Sequence, residues 1–480
     1  MGKYKYLANH IALFSVSNFV SKILVFLLVP FYTNILSTAD YGIADVMQTT
    51  LLLLVPALTV NMGEAALRFG IDQEKKRGEI LRIGMKYVLR ATLIILLPAG
   101  IASVFLPPYL MLLFALLFFT NSIYEFMILY LQGCEQVKLV VAGSVFSTIV
   151  LIGSNLLFLL VFRIGLTGYL LSQILSYGFS LLLMLYLGKR FLPEIFSLRS
   201  LRGSGQAEEK AFEQELLAYG KPMILYSTGA WVNNAADRYF VLLLCGAAAN
   251  GLYGIAYKIP SVLTVFQRIF AQAWQMSATK SRDEEKSEEF YSEMYNIYLT
   301  FMLLGCSFLI LIVKPLSQFM FRKDFFEAWR YVPPLLISVV FGAMTGFLGS
   351  ICLAYKDSKA MGIATGIGAA VNVILNACLI PVLSAMGAAV ATAVSYAVMY
   401  GMAFLFAGRY VRLQVKPLRD LPAFFLLLLQ AAAMLLFKEG ERLPALLSGV
   451  CFLLLVLLYF PFVKEILQKL RTSLFRGRAD

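Results

Sequence analysis

Residues 219–278 read YGKPMILYSTGAWVNNAADRYFVLLLCGAAANGLYGIAYKIPSVLTVFQRIFAQAWQMSA. The run holds two largely apolar segments, each long enough for a helix that crosses a bilayer, which takes about 20 residues. Five charged residues nevertheless lie in it: Lys221, Asp237, Arg238, Lys258 and Arg268. A charge at such depth costs about 2.5–3.5 kcal/mol and usually faces a protein interior or a water-filled cavity. The run therefore predicts two membrane-spanning helices that line a polar space.

Polar residues recur along one face of each predicted helix. The first stripe is Ser227, Trp231, Asn234 and Arg238, and the second is Lys258, Ser261, Val265, Arg268, Gln272 and Gln275. These steps of three and four place the members of each stripe on one helix face. Because lipid does not solvate such groups, we interpret the stripes as the wall of a transport cavity. For Lys221, near a helix start, snorkelling to the membrane surface is the simpler interpretation.

The composition indicates an all-α polytopic membrane protein. Hydrophobic residues make up 60% of the chain and charged residues 14%, and the mean hydropathy is +0.77. A net charge of +13 would suit nucleic acid, but the basic residues lie between spans, where membrane orientation explains them. We therefore expect no nucleic-acid partner. One histidine and six scattered cysteines predict no metal site, no disulfide framework and no cofactor.

Apolar runs separated by polar breaks predict about 14 spans. They cover residues 8–36, 43–68, 82–105, 108–133, 138–161, 166–188, 216–246, 251–279, 290–313, 331–355, 359–380, 385–408, 420–437 and 444–463. Both termini then share one side, which holds most of the basic residues. The other side holds Arg163, Lys314, Arg322, Lys323, Arg330, Lys438 and Arg442. The positive-inside rule predicts cytoplasmic termini, and the aromatic segment 314–330 is predicted to lie in the membrane interface.

The chain also repeats itself. The tetrapeptide YGIA occurs at residues 41–44 and again at 253–256, and Gly168 with Ser176-Tyr177 recurs as Gly387 with Ser395-Tyr396 at nearly the same offset. Two six-helix lobes in parallel orientation explain this, followed by two C-terminal helices. The predicted divisions are an N-terminal lobe (1–188), a cytoplasmic linker (189–214), a C-terminal lobe (215–410), and two helices with a basic cytoplasmic tail (411–480).

Further charges lie in the first four spans. Asn18 and Lys22 share a face of the first span, and Lys22 has no acid nearby on its helix. Glu64 and Arg68 in the second span are four residues apart, so an intrahelical ion pair is a simple alternative for them. Glu125 lies in the fourth span. These groups and the two stripes predict that a cavity between the lobes is cationic in balance.

Several motifs resemble those of the polysaccharide transporter family, the Wzx-type flippases of lipid-linked oligosaccharides. They are residues 28–33 (LVPFYT), Leu36-Ser37, residues 40–42 (DYG), residues 237–239 (DRY), residues 251–260 (GLYGIAYKIP) and residues 272–274 (QAW). The resemblance implies the fold shared with multidrug exporters and the lipid II flippase, in which two lobes open alternately to each side. It also implies an undecaprenyl-diphosphate-linked oligosaccharide as the substrate, carried to the outer leaflet of a bacterial cytoplasmic membrane.

The expected site follows from joining this substrate to the polar stripes. The predicted substrate-binding residues are Lys22, Arg68, Arg238, Lys258, Arg268, Asn18, Asn234, Trp231 and Gln272. The lysine and arginine side chains among them are expected to contact the phosphates or an acidic sugar. Glu64, Glu125 and Asp237 are candidates for coupling to H⁺ or Na⁺. For Asp237, neutralising the adjacent Arg238 is an equal alternative. Membrane lipids are further expected partners, and we expect a monomer.

Two rival functions follow from the same sequence. A cation-coupled multidrug exporter of the same superfamily takes amphipathic cations, which a cationic cavity would disfavour. A membrane-embedded polymerase or glycosyltransferase needs paired carboxylates in a catalytic loop or an Asp-x-Asp motif, and the sequence contains no Asp-x-Asp. The chain is therefore predicted not to be an enzyme.

Overall fold

The computed structural model describes residues 26–73, 76–104, 107–191, 206–280, 287–355, 357–436 and 443–476. These residues form 18 α-helices and no strand. The helices are α1 Val29–Ile35, α2 Thr38–Leu58, α3 Met62–Asp72, α4 Arg77–Ala102, α5 Pro108–Gly133, α6 Val137–Asn155, α7 Gly165–Phe191, α8 Gln206–Ala235, α9 Asp237–Cys245, α10 Ala247–Ala256, α11 Lys258–Lys280, α12 Ser287–Leu311, α13 Val313–Met320, α14 Val332–Ala354, α15 Ser358–Leu383, α16 Ala385–Ala407, α17 Pro417–Leu436 and α18 Leu443–Arg476.

Ten stretches of the described residues are long and apolar enough to cross a membrane. The predicted spans at 82–105, 216–246 and 251–279 are not among them, although each is helical, as α4, α8–α9 and α10–α11. These are helices in which the sequence places charged residues at depth. The first predicted span lies mostly outside the described residues. The all-helical polytopic fold is confirmed, and the number of spans stays a prediction.

The chain forms two compact units. One comprises residues 1–242 and 246–251, and the other comprises residues 243–245 and 252–480. Helix α8 thus packs with the first unit, against α2 and α3, although the repeat-based boundaries assign it to the C-terminal lobe. Those boundaries describe the internal repeat and stay a prediction.

The second predicted span, 43–68, is a broken helix. Ser37 caps α2 by accepting a hydrogen bond from the Asp40 backbone N–H at 3.0 Å. The chain then leaves the helix at Val60 and Asn61, whose φ angles are +56° and +49°, before α3 begins. A positive φ is rare for a β-branched residue. Helix α8 passes close to the break, and only glycine fits at the approach, because a Cβ on Gly220 would lie 2.2 Å from the Val60 carbonyl oxygen.

The C-terminal end of the predicted linker 189–214 is helical in the structure. Helix α8 begins at Gln206, and its first turns dock onto α4 through Arg82–Glu209 at 2.9 Å and Lys86–Glu213 at 2.7 Å. Phe212, between the two glutamates, is 1% exposed. From the sequence alone these glutamates look like solvent-exposed charges, because their partners on α4 lie more than 100 residues away along the chain. Residues 192–205 lie outside the described residues.

In the second unit, the aromatic segment 314–330 is partly buried: Phe319 is 59% exposed, and Arg322, Lys323 and Arg330 are exposed. It folds as α13 and a 3-10 segment, Lys323–Tyr331, in which Phe321, Phe325 and Trp329 are at most 2% exposed. Lys314 lies over the Trp329 ring, with Nζ 4.5 Å from the centroid. Buried aromatic rings beside exposed basic side chains fit an amphipathic segment, and its position at the membrane interface stays a prediction.

The two C-terminal helices are joined by a buried carboxylate. Asp420, near the start of α17, accepts hydrogen bonds from Arg419 Nε at 2.8 Å and from the Tyr459 hydroxyl of α18 at 2.9 Å. The Arg419 guanidinium also lies over the Tyr459 ring, 4.6 Å from its centroid. Burying a charge is tolerated when it is paired and hydrogen-bonded, so this cluster fixes how α17 and α18 pack.

Helix α2 crosses the start of α10 through two glycines. A Cβ on Gly42 would lie 1.9 Å from the Ala247 carbonyl oxygen, and one on Gly251 would lie 1.8 Å from the Thr38 carbonyl oxygen. The Asn250 side chain donates to the Gly42 carbonyl at 3.0 Å and is fully buried. The predicted spans 216–246 and 251–279 leave Asn250 in the loop between them, whereas the structure buries it in α10.

Substituting Gly42 tests this crossing. We expect Gly42→Ala to lower the free energy of unfolding by about 1–3 kcal/mol, because the methyl group meets backbone that cannot rotate away. Gly153→Ala is the control, since Gly153 lies in a helix with open space around it, and should be neutral or slightly stabilising. Circular dichroism during heating in detergent measures both. Equal midpoints for the two variants would contradict the close crossing.

Candidate functional site

A cavity of about 560 Å³ lies inside the first unit. Its walls come from α2, α3, α4, α5, α8 and the start of α9. The polar residues that line it are Asp45, Gln48, Thr49, Thr59, Asn61, Glu64, Ser122, Glu125, Ser227, Trp231 and Arg238. The α2 residues Asp45, Gln48, Thr49 and Leu52 recur at helical spacing, as do Ser122, Glu125, Phe126 and Leu129 of α5. One face of each helix therefore forms a wall.

Two helix interruptions border this cavity. The α2–α3 break places Thr59 and Asn61 on its wall, and the Asn61 amide donates to the Ser227 hydroxyl at 3.2 Å. The second interruption separates α8 from α9 at Ala236. Interrupted backbone at membrane depth is tolerated where protein or a cavity supplies hydrogen-bond partners. Paired helix breaks of this kind are typical of substrate sites in transporters.

Trp231 is held in a fixed orientation on the wall. Its indole N–H donates to the Thr49 carbonyl of α2 at 2.8 Å, and its ring meets the Tyr239 ring edge-on, with centroids 5.5 Å apart. The Trp231 side chain is half-buried. An aromatic ring with a satisfied N–H presents an apolar surface to a ligand at little cost in side-chain entropy.

Arg238 is held between two carboxylates. Its Nε lies 2.9 Å from Asp45 Oδ2, and its Nη1 lies 3.5 Å from Asp237 Oδ1. The side chains of Arg238, Asp45 and Asp237 are 13%, 17% and 5% exposed. Asp237 also accepts a hydrogen bond from the Arg238 backbone N–H at 2.9 Å. These contacts support the alternative in which Asp237 neutralises Arg238.

Glu64 and Glu125 line the same cavity from α3 and α5. Among the described residues neither carboxylate forms a hydrogen bond or an ion pair. The predicted Glu64–Arg68 pair is therefore wrong: Arg68 is exposed and lies 2.9 Å from Asp72. Arg68 is absent from the cavity wall. The sequence offered two acids at i±4 of Arg68, and the exposed one, Asp72, forms the pair.

The structure brings four of the predicted site residues to one wall: Trp231, Arg238, Glu64 and Glu125. Lys258 and Arg268 belong to the second unit, where Lys258 is half-buried and Arg268 is exposed. Lys22 and Asn18 lie outside the described residues, as do the side chains of Asn234 and Gln272. Roles for these six residues stay predictions.

Sequence reasoning missed Asp45 and Ser122. The available signal was the spacing of Asp45, Gln48 and Thr49, which lie on one face of the predicted span 43–68. The cavity wall holds three carboxylates, those of Asp45, Glu64 and Glu125, and one guanidinium, that of Arg238. Among the described residues, carboxylates outnumber cations on this wall, and the cationic balance predicted for a space between the lobes stays a prediction.

Comparison with known protein families identifies the family of this chain. The model of the polysaccharide biosynthesis protein family matches residues 7–275, which is more than half of the chain and includes every residue of the cavity wall. The chain belongs to this family. A search among curated proteins found no match to this polysaccharide biosynthesis protein.

Solved structures show which fold this polysaccharide biosynthesis protein has. The lipid II flippase MurJ in an inward closed conformation matches with a TM-score of 0.64 at 15% identity, covering 95% of this chain and 100% of MurJ. An inward-facing MATE multidrug resistance transporter matches with a TM-score of 0.64 at 13% identity, covering 81% and 94%. A transporter of the MOP superfamily from Pyrococcus furiosus matches with a TM-score of 0.52 at 13% identity, covering 83% and 92%. The protein is a multi-pass membrane protein with the MurJ and MATE fold.

The Arg238–Asp45 pair gives a test of the site's construction. Asp45→Ala and Arg238→Ala should each lower the free energy of unfolding by about 1.5–3 kcal/mol, since each removes a charged hydrogen bond. The double variant should lose less than the sum, because the two side chains interact. Arg68→Ala is the control and should cost at most about 1 kcal/mol, as expected for an exposed pair. Denaturant titration in detergent measures all four, and strictly additive losses would count against the pair.

Proposed function

We propose that this protein is a flippase that moves an undecaprenyl-diphosphate-linked oligosaccharide from the inner to the outer leaflet of a bacterial cytoplasmic membrane, for cell-surface polysaccharide synthesis. The observation that carries the proposal is the polar cavity with an oriented tryptophan, inside the part of the chain that the polysaccharide biosynthesis family covers. The likeness to a lipid II flippase over 95% of the chain supports it.

The physical requirements of such a substrate match this construction. The polyprenyl tail can stay in lipid throughout, whereas the sugars need hydrogen-bond partners away from hydrocarbon. Ser227, Asn61 and Trp231 supply donors, acceptors and an aromatic face. Nothing in this role calls for a bond to be made or broken, so the protein acts as a transporter with no cofactor.

Alternating access is the proposed cycle. Solved relatives of the same fold include inward-facing and outward-facing MATE transporters, with TM-scores of 0.64 and 0.54 to this chain. The fold thus accommodates openings to either side in those proteins. We infer that this chain uses the same two states and places both termini in the cytoplasm.

The diphosphate needs cations, which the described cavity does not supply in excess. Lys258 and Arg268 on α11 and Lys22 in the first predicted span are the proposed contacts, because a phosphate at membrane depth is offset most strongly by a cation in a low dielectric. Arg268 is exposed in the structure, so its guanidinium is accessible to a headgroup.

A second candidate function is a cation-coupled multidrug exporter. The acidic balance of the cavity favours it, since three carboxylates and one guanidinium would attract an amphipathic cation. Transport assays distinguish the two: a flippase moves a polyprenyl-diphosphate glycan and leaves a cationic dye in place, and an exporter does the reverse.

Replacing the proposed phosphate contacts should stop flipping. We expect Lys258→Ala and Arg268→Ala each to slow the appearance of a polyprenyl-diphosphate glycan in the outer leaflet of proteoliposomes by at least about tenfold, the effect of about 1.4 kcal/mol. Arg412→Ala is the matched control: Arg412 is an exposed cation whose backbone N–H, not its side chain, bonds Glu288. Unchanged flipping by both test variants would remove these cations from the mechanism.

Coupling to an ion gradient is part of the proposal, with Glu64 and Glu125 as the H⁺ or Na⁺ sites. Carboxylates that pair with no other described residue and line a cavity can take up a cation in one state and release it in the other. Collapsing both gradients with ionophores should slow flipping by the wild type, and Glu64→Gln with Glu125→Gln should remove that sensitivity. Flipping at the full rate without any gradient would reject coupling.

A further inference from the structure

The cavity of the first unit has a charge pattern that a diphosphate carrier does not by itself require. Of its three carboxylates, Asp45 already lies 2.9 Å from Arg238. Asp237, next to Arg238, adds a second carboxylate to the same guanidinium. The positive charge of Arg238 is thus offset by the protein, and Glu64 and Glu125 form no ion pair among the described residues. A ligand in this cavity meets a net negative wall.

A buried hydroxyl also faces the cavity without a partner. Ser122 is 1% exposed, and its Oγ has no hydrogen-bond partner among the described residues. It lies on the cavity face of α5, three residues before Glu125. Buried hydroxyls in folded proteins are nearly always hydrogen-bonded. A ligand hydroxyl or amide that reaches Ser122 would supply the missing bond.

The wall therefore specifies the hydrogen-bonding character of its ligand. A carboxylate in its ionised form only accepts hydrogen bonds, so Glu64 and Glu125 in that form need a ligand that donates. Sugar hydroxyls, acetamido N–H groups and sugar ammonium groups all donate. A sugar carboxylate only accepts hydrogen bonds. It would also add a like charge close to Glu64 and Glu125, in a site where water screens charges poorly. The cavity volume of about 560 Å³ lies within the usual range for small-ligand sites.

We propose that this cavity binds the oligosaccharide part of the lipid-linked substrate and selects neutral or amine-bearing sugars over carboxylate-bearing sugars. Glu64 and Glu125 are the specificity-determining residues, and Trp231 provides the stacking surface. The inference rests on the proposed function, because it names the sugar class that the flippase carries. It also separates two parts of the substrate: the sugars are bound by the acidic cavity, and the diphosphate is bound by cations outside its wall.

The experiment measures equilibrium binding to the purified full chain in detergent, with no ion gradient. The probes are three trisaccharides of equal length: one of glucose, one of glucosamine and one of galacturonic acid. Trp231 is one of three tryptophans in the chain, and quenching of its fluorescence reports occupancy. Trp231→Phe identifies that signal, and equilibrium dialysis with labelled trisaccharides measures binding independently of it.

We expect the glucose and glucosamine trisaccharides to bind at least about tenfold more tightly than the galacturonic acid trisaccharide, as expected for like-charge repulsion in a partly buried site. The Glu64→Gln, Glu125→Gln double variant should bring the three affinities within about threefold of one another, because the amide side chains carry no charge. Arg412→Ala, which removes an exposed cation of the second unit, should leave the ratio unchanged.

Three results would overturn the inference: equal or tighter binding of the galacturonic acid trisaccharide to the wild type, no trisaccharide binding in either measurement, or tighter binding of a cationic dye than of any trisaccharide. Flipping of a polyprenyl-diphosphate glycan is measured on the same preparation. If flipping persists without sugar selectivity, only the sugar-class inference fails. If sugar selectivity persists without flipping, the proposed function fails instead.

Discussion

The structure of the first unit depends on one constraint: every buried backbone group that leaves a helix must find a hydrogen-bond partner. The α2–α3 break meets it locally, since the Asn61 N–H bonds the Pro56 carbonyl at 2.8 Å. The Asn61 side chain in addition donates a hydrogen bond to the Ser227 hydroxyl of α8 at 3.2 Å. Gly220 lets α8 approach the Val60 carbonyl. The same residues that satisfy the break therefore hold α8 against α2 and α3, and they leave the cavity beside it.

Burial also constrains the charge of Arg238. A buried guanidinium is stable only when its charge is offset, and Arg238 has Asp45 on α2 and Asp237 beside it. The pair thus joins α9 to α2 across the cavity wall. Because both partners are mostly buried, the interaction is part of how the helices pack. Glu64 and Glu125 make no such contact among the described residues, which leaves them available for a ligand or a coupling ion.

Helical periodicity predicted a large part of this site. Spacing along one face correctly grouped Ser227, Trp231 and Arg238, and all three line one cavity. The partner of Arg238 could not be predicted in this way, because Asp45 is on another helix and periodicity relates only residues of the same helix. The same limit explains Arg68, whose two possible partners at i±4 differ only in burial, and Glu213, whose partner Lys86 lies on α4. Pairing across helices depends on packing, which one sequence does not encode in a local pattern.

An acidic cavity and an anionic lipid carrier are compatible if the carboxylates of the wall bind the sugars and repel the diphosphate. Under the proposed function, carboxylates in a poorly screened site repel a diphosphate and attract donors, which places the sugars against Glu64, Glu125 and Trp231. The diphosphate then stays outside this wall, close to its polyprenyl tail. A uniformly cationic cavity would instead bind the diphosphate tightly inside, and release to the outer leaflet would be slow. A wall that repels the diphosphate favours release and fixes which end of the headgroup enters first.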